Sequence, residues 1–277
     1  MLNVKDLTFS YKRNTQLLNL LNFEITPGGV YGLLGKNGSG KSTLLYLMTG
    51  LMFPQSGTVT VDGKEARKRL PETLQKLYLL PEEFDLPPVS VDDYVKRNAA
   101  FYPCFSREQF DSYLTIFELE RVKNLSQTSM GQKKKYLVCF ALATNTQLLF
   151  MDEPTNGMDI PSKSQFRKAI ASGMSDERSI IISTHQVRDL ESMIDRVLIL
   201  HNHKMLLNES TIRIAEKLEF LRSTAKEDLE GCIYSAFTPS GFVGVRPNAS
   251  GLETPVDLEV LFNSAISHPE AITNLFV

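Results

Sequence analysis

Gly35-Lys36-Asn37-Gly38-Ser39-Gly40-Lys41-Ser42-Thr43 follows the apolar run Val30-Tyr31-Gly32-Leu33-Leu34 and precedes Leu44, Leu45, Leu47 and Met48. The order is strand, glycine-rich loop, helix. A phosphate chain needs many donors converging on it. Glycines let successive backbone N–H groups turn inward without a Cβ clash, and the start of a helix adds its partial positive charge. Lys41 is placed to reach the outer phosphates, and the Ser42 hydroxyl to ligate Mg²⁺. Residues 35–43 together therefore read as a phosphate cradle. The dinucleotide fingerprint does not fit, because after Gly38-Ser39-Gly40 it needs a third glycine where Thr43 stands.

Three further runs are unbroken and apolar like Val30–Leu34: Leu77-Tyr78-Leu79-Leu80, Leu148-Leu149-Phe150-Met151 and Ile180-Ile181-Ile182. A strand buried on both faces needs that pattern, so these predict a mostly parallel sheet flanked by helices, an α/β fold. Thr58-Val59-Thr60-Val61 alternates with period two and ends in Asp62-Gly63, which predicts a half-exposed antiparallel strand. Residues from about 83 to 135 read as a helical insert. Ser106 and Gln109 have capping-box spacing before Phe110, Tyr113, Leu114 and Phe117, and Ser90 with Asp93 opens another helix. Beyond residue 207 lies a small α+β appendage. Its predicted parts are a helix near Ile212–Leu221, a hairpin around Thr238-Pro239-Ser240-Gly241, and a last helix with Thr254 as cap, Pro255 in the first turn and Asp257 as the acidic third position.

Two more strand ends carry chemistry. Leu148–Met151 runs into Asp152-Glu153-Pro154, so two carboxylates fall beside the phosphate loop, at the C-terminal edge of the sheet. Asp152 suits a Mg²⁺ contact, and Glu153 suits a base that orients the attacking water. Such an acidic end is by itself often a turn; its weight comes from the loop it accompanies. His185 closes Ile180–Thr184 at the same edge, where a contact to the terminal phosphate competes with a purely structural histidine.

Composition narrows the class. Lys plus Arg total 30 against 32 for Asp plus Glu, a net charge of −2, which argues against a nucleic-acid partner or bulk attraction to lipid. The longest apolar run, Tyr136 to Ala143, is far short of the ~20 residues that span a bilayer. The three cysteines, Cys104, Cys139 and Cys232, form no CxxC pair and read as packing thiols in a reducing compartment. A soluble, cytoplasmic protein is the expectation.

With its motifs in this order, the sequence resembles the ATP-binding cassette (ABC) ATPases over Leu2 to about Leu207. Thr128-Ser129-Met130-Gly131-Gln132 looks like a remnant of the family signature, which normally begins Leu-Ser-Gly-Gly; Thr128 and Met130 depart from it, and Ser129 and Gly131 are kept. Asn156-Gly157-Met158-Asp159 looks like the D-loop, His185 like the switch histidine, and Tyr11 like the aromatic that stacks on adenine, where on its own it reads as a core aromatic. Glu82 falls where the family places a glutamine facing Mg²⁺ and the permease.

The resemblance implies a P-loop NTPase core with an antiparallel β subdomain, spanning 1–207, and leaves 208–277 without a role beyond dimer packing. It implies ATP and Mg²⁺ as ligands, with Ser42, Asp152 and Glu82 on the metal and Lys41, Glu153 and His185 in catalysis. Tyr11, the loop from Gly35 to Thr43, Ser129, Gly131, Gln132 and Asp159 would contact nucleotide, Ser129 and Gly131 doing so from a second, oppositely oriented copy or related cassette. A separate permease chain would hold the protein at the inner face of the cell membrane. The insert Phe101-Tyr102-Pro103, the run Gly131–Lys135 and the stretch Asp257–Phe262 look most like exporter cassettes for drugs, antibiotics or peptides, although the three lysines alone read as a solvated helix face. The alternative is an ABC ATPase that remodels a cytosolic complex without a permease. A DNA-maintenance relative would split its motifs around a long coiled coil, and a P-loop kinase or GTPase gives no reason for Ser129, Gly131 and His185.

Overall fold

In the computed structural model, β1 (Leu2–Lys12) and β2 (Thr15–Ile25) pair antiparallel, and β3 (Val30–Leu34) leads through the glycine loop into α1 (Lys41–Met48). β4 (Ser56–Val61) turns at Asp62-Gly63 into β5 (Lys64–Glu65), as the Asp-Gly pair predicts, and α2 (Pro71–Leu74) precedes β6 (Leu77–Leu80). α3 (Val91–Asn98), α4 (Arg107–Ile116) and α5 (Met130–Ala143) follow, then β7 (Leu148–Asp152), α6 (Ile160–Ser172), β8 (Ser179–Thr184), β9 (Arg196–His201) and β10 (Lys204–Ser210). The appendage contains α7 (Thr211–Lys217), β11 (Leu218–Ser223), β12 (Tyr234–Thr238), β13 (Gly241–Pro247), α8 (Leu258–Ser267) and α9 (Pro269–Thr273). The structure describes residues 1–12, 15–251 and 253–276.

The central sheet has the order β10-β9-β3-β8-β7-β6. Strands β9, β3, β8, β7 and β6 run parallel, and β10 is antiparallel to β9. Period two explains why the strand runs are unbroken and apolar. Tyr31, Leu33, Phe150 and Ile181 face α1 and the antiparallel sheet β2-β1-β4-β5, packing with Leu44, Leu45 and Met48. Leu34, Leu149, Met151 and Ile182 face the other way, onto Phe110, Phe140 and Phe166 of α4, α5 and α6. Each such side chain contributes roughly 1.5–3 kcal/mol on burial.

The appendage departs from its sequence reading at two points. The helix expected over Ile212–Leu221 stops at Lys217, and Leu218–Ser223 is a strand paired with β13. A strand partner remote in sequence, with Leu218 and Val245 both fully buried, overrides the local helical pattern. The last long helix starts at Leu258 with Asp257 as its cap, its carboxylate accepting from Val260 N at 3.0 Å; Thr254 instead accepts from Phe220 N at 2.9 Å. In the insert, Ser106 caps α4 through Gln109 N, but the Gln109 side chain accepts from Asn145 Nδ2 at 2.6 Å, so that box is half closed. β10 carries the central sheet to Ser210, beyond the boundary expected at 207, and α5 runs from the insert straight into the core.

Arg178, only 3 % exposed, joins the C-terminal ends of two helices. Its guanidinium donates to Leu142 O at 2.9 Å, Ala141 O at 3.1 Å and Gly173 O at 3.1 Å, where helix carbonyls concentrate negative charge. Burial pulls its pKa down to about 10, so it stays charged at neutral pH. Arg178→Met is expected to cost ~3 kcal/mol by leaving these carbonyls without a charged donor, lowering Tm by roughly 6–10 °C. Thermal melting of the two proteins checks it, and coincident curves would remove the guanidinium from the stability of the fold.

Candidate functional site

Because β3, β6, β7 and β8 are parallel, the segments leaving their C-terminal ends meet at one edge. There they enclose a cleft of ≈ 520 Å³ whose lining includes Tyr11, Asn37, Lys41, Ser42, Glu82, Glu153 and His185. Gly38 and Gly40 have φ of 78° and 101°, values that L side chains rarely adopt, and a Cβ on Gly35 would lie 2.4 Å from Ser39 Oγ. Helix α1 begins with neither a side-chain cap nor an acidic residue in its first turn, and the buried Ser39 hydroxyl has no partner. Free amides, a helix start and an unpaired hydroxyl around a glycine turn fit an anionic phosphate chain.

Lys41 Nζ donates to Gly35 O at 2.8 Å and lies 3.7 Å from Glu153 Oε1, with both side chains 7 % exposed. Burial pulls the Lys41 ammonium below its ordinary pKa, and Glu153 and Asp152 oppose that pull. Glu153 Oε1 accepts from His185 Nδ1 at 2.7 Å. The Glu153 backbone sits at φ 44°, and its amide donates to both the carbonyl and the hydroxyl oxygen of Ser183 at 3.1 Å. The same Ser183 hydroxyl donates to the Asp152 carboxylate, so one serine of the neighbouring strand sets both acids. Asp152 is buried behind Glu153, and Glu82 accepts from Asn156 Nδ2 at 3.0 Å. Among the described residues no three His, Cys, Asp or Glu side chains cluster as a metal cage. Asp152, Glu82 and Ser42 are hard oxygen donors, the set suited to Mg²⁺ held jointly with phosphates. Tyr11 is 64 % exposed, at the mouth of the cleft and not in the core; its hydroxyl lies 2.9 Å from Thr43 Oγ1.

Four expected nucleotide contacts beyond the glycine loop lie outside this cleft. Ser129 caps α5 in a full capping box: its hydroxyl accepts from Gln132 N, and Gln132 Oε1 accepts from Ser129 N, both at 3.2 Å. Gly131 is in the first turn of that helix, and Met130 beside it is 58 % exposed. Asp159 caps α6, accepting from Ser162 N at 2.9 Å, and the Ser162 contacts hold its carboxyl below its ordinary range. Leu17, not singled out in the sequence, and Asn156, read there only as the start of the D-loop, line the cleft instead.

Lys134 was also hidden there. In place of a solvated lysine face, it is 5 % exposed and donates to Glu153 O at 3.2 Å and Asn156 O at 3.1 Å. Burial lowers its pKa while Glu82, Glu153 and Asp152 raise it. Its spacing to Leu137, Val138 and Ala141, all buried, puts it on the apolar face of α5, a signal that a run of three lysines obscures.

The family described as ABC transporter matches residues 18–156. The lantibiotic transport ATP-binding protein SrtF of Streptococcus pyogenes is 30% identical over 214 residues, covering 76% of this chain and 90% of SrtF. The linearmycin resistance ATP-binding protein LnrL of Bacillus subtilis (strain 168) is 26% identical over 283 residues, covering 99% and 89% respectively. The dimeric structure of MJ0796, a bacterial ABC transporter cassette, superposes with a TM-score of 0.67 at 23% identity, over 76% of this chain and 98% of that one, and so shares its fold. With a family match over half of its length and a relative 30% identical over 76% of this chain and 90% of its own length, this chain belongs to the ABC transporter family, as one of its ATP-binding, ATP-hydrolysing cassettes.

Proposed function

We propose that the chain energises an exporter-type ABC transporter by closing with a second cassette around ATP and Mg²⁺ and opening on hydrolysis. The observation that carries this reading is the division of the motifs. Phosphate loop, Glu153 and His185 meet in one cleft, while Ser129 and Gly131 stand apart from it at the start of α5. A site needing both sets takes the second from another chain, with ATP between them.

On this reading Lys41 and the loop amides hold the outer phosphates and stabilise charge developing on them. Mg²⁺, held by Ser42, Asp152 and Glu82, would neutralise part of that charge. As the water oxygen bonds to the γ-phosphorus and the bond to the β,γ-bridging oxygen breaks, the water proton passes to Glu153, which His185 orients. Support for an exporter comes from relatives named for lantibiotic transport and linearmycin resistance. Support for a permease comes from a groove of ≈ 570 Å³ lined by Leu51, Leu74, Leu77, Leu79, Phe101 and Tyr102. Leu51 and Phe101 are more than half exposed there, and β6 forms part of the lining and then runs to Glu82. A permease segment seated in the groove would press on the strand that carries Glu82. No helix of the described residues is long and apolar enough to cross a membrane, so the proposal assigns attachment to the permease.

Three outcomes test this reading. Glu153→Gln is expected to keep ATP binding but slow turnover at least ~100-fold, because the amide cannot take the water proton, and to accumulate an ATP-bound dimer on size exclusion. Wild-type turnover would place the base elsewhere. Glu82→Gln is expected to make hydrolysis less sensitive to Mg²⁺ concentration, since an anionic oxygen repels the incoming phosphate charge unless the metal is bound, and a neutral amide does not. Superimposable Mg²⁺ titrations would mean that Glu82 never meets the metal. In cells lacking the membrane partner, the protein is expected to leave the membrane fraction; undiminished association would favour lipid, and a chain never found at membranes would favour a cytosolic complex.

A further inference from the structure

We infer that Lys134 is the positioning residue for the catalytic carboxylate, an internal cation that clamps both ends of the Glu153–Asn156 turn and ties it to the helix beginning at Ser129. The inference rests on the reading of Glu153 as the base. Residues 153–156 form a turn in which Asn156 N donates to Glu153 O at 3.1 Å. Glu153 opens the turn at φ 44°, a left-handed conformation that a side chain bearing a Cβ adopts only when its surroundings enforce it. From the opposite side, Lys134 Nζ donates to the first carbonyl of the turn at 3.2 Å and to the last at 3.1 Å. A single donor group thus fixes the direction in which the Glu153 side chain leaves the backbone.

The clamp extends to the metal-facing loop. Asn156, held at its carbonyl by Lys134, donates from Nδ2 to Glu82 Oε1 at 3.0 Å. Three carboxylates, those of Glu82, Glu153 and Asp152, act on the buried ammonium and oppose part of the cost of its lost water, which still holds its pKa below the ordinary value. The acid at 82 and the buried ammonium at 134 belong to one network, joined through Asn156 and by the pull of Glu82 on Lys134. Because Lys134 lies on α5, the network also makes the position of Ser129 depend on the geometry of Glu153 in the same chain.

The full chain tests this with Lys134→Met, which keeps the length of the side chain and removes its donors and charge. Expected are a fall in kcat of about tenfold or more with KM for ATP changed less than about threefold, since the phosphate loop is untouched. In nucleotide-free protein the Asn156 amide should exchange hydrogen about tenfold faster, because the carbonyl it bonds has lost its second anchor. Lys134→Gln restores a donor and should recover part of both effects; it also carries the comparison if the methionine variant does not fold. In a Glu82→Gln background the loss caused by Lys134→Met should shrink about threefold or more, as the pair interacts. Wild-type kcat, unchanged Asn156 exchange, or a rise in KM at constant kcat would overturn the clamp, and strictly multiplicative effects would overturn its link to Glu82. A wild-type chain without ATPase activity would instead overturn the proposed function, and amide exchange would still report on Lys134.

Discussion

A carboxylate that is 7 % exposed has to be held by its neighbours, and most of the site follows from holding Glu153. Lys41 faces it at 3.7 Å, His185 donates to it at 2.7 Å, and Ser183 fixes its backbone amide. Removing Lys41 or His185 leaves the buried carboxylate with one partner fewer, and an undercompensated buried charge is strongly destabilising. The glycine loop, His185 and the acidic strand end are therefore one electrostatic unit. Their common location follows from parallel strands, which put every C-terminal end at the same edge.

The same unit reaches outward through polar contacts with helices and loops. Lys134 links it to α5, Asn156 to Glu82, and the segment after His185 to the appendage, where Leu258 N donates to Glu191 Oε1 at 2.8 Å and Arg188 pairs with Glu259. The appendage shares the buried cluster of α5 and α6 through Leu218, Val245 and Leu261, so it is packed onto the cassette and not tethered beside it. An alignment with LnrL over 99% of this chain includes that region.

The places where sequence and structure part company share a cause. Residues 218–221 continue a helical pattern but pair with a strand whose partners lie farther along the chain, Leu218 with Pro247 and Leu221 with Gly244, and Thr254 has every local mark of a cap yet serves Phe220. Gln109 has the spacing of a capping box but turns to Asn145, whereas Gln132, read as a nucleotide contact, closes a complete box with Ser129. In each case a local motif is satisfied by whichever partner the fold brings near, and spacing along the chain does not name that partner. Lys134 is the extreme instance, since three adjacent lysines look alike until one is placed on the buried face of a helix.

What the sequence determined alone was whatever depends on neighbours in the chain. Unbroken apolar runs specify strands buried on both faces, alternation specifies β4, and the glycines before Lys41 specify a loop that turns its amides inward. Those local patterns, taken together, already imply the parallel sheet and a phosphate cleft at its edge. Tertiary structure decided how charge is balanced: that Ser183 serves both acids, that Lys134 spans the turn behind Glu153, and that Ser129 and Asp159 stand outside the lining of their own cleft. Hydrogen bonds and desolvation act over a few ångströms regardless of separation in sequence, so their partners exist only once distant segments have packed.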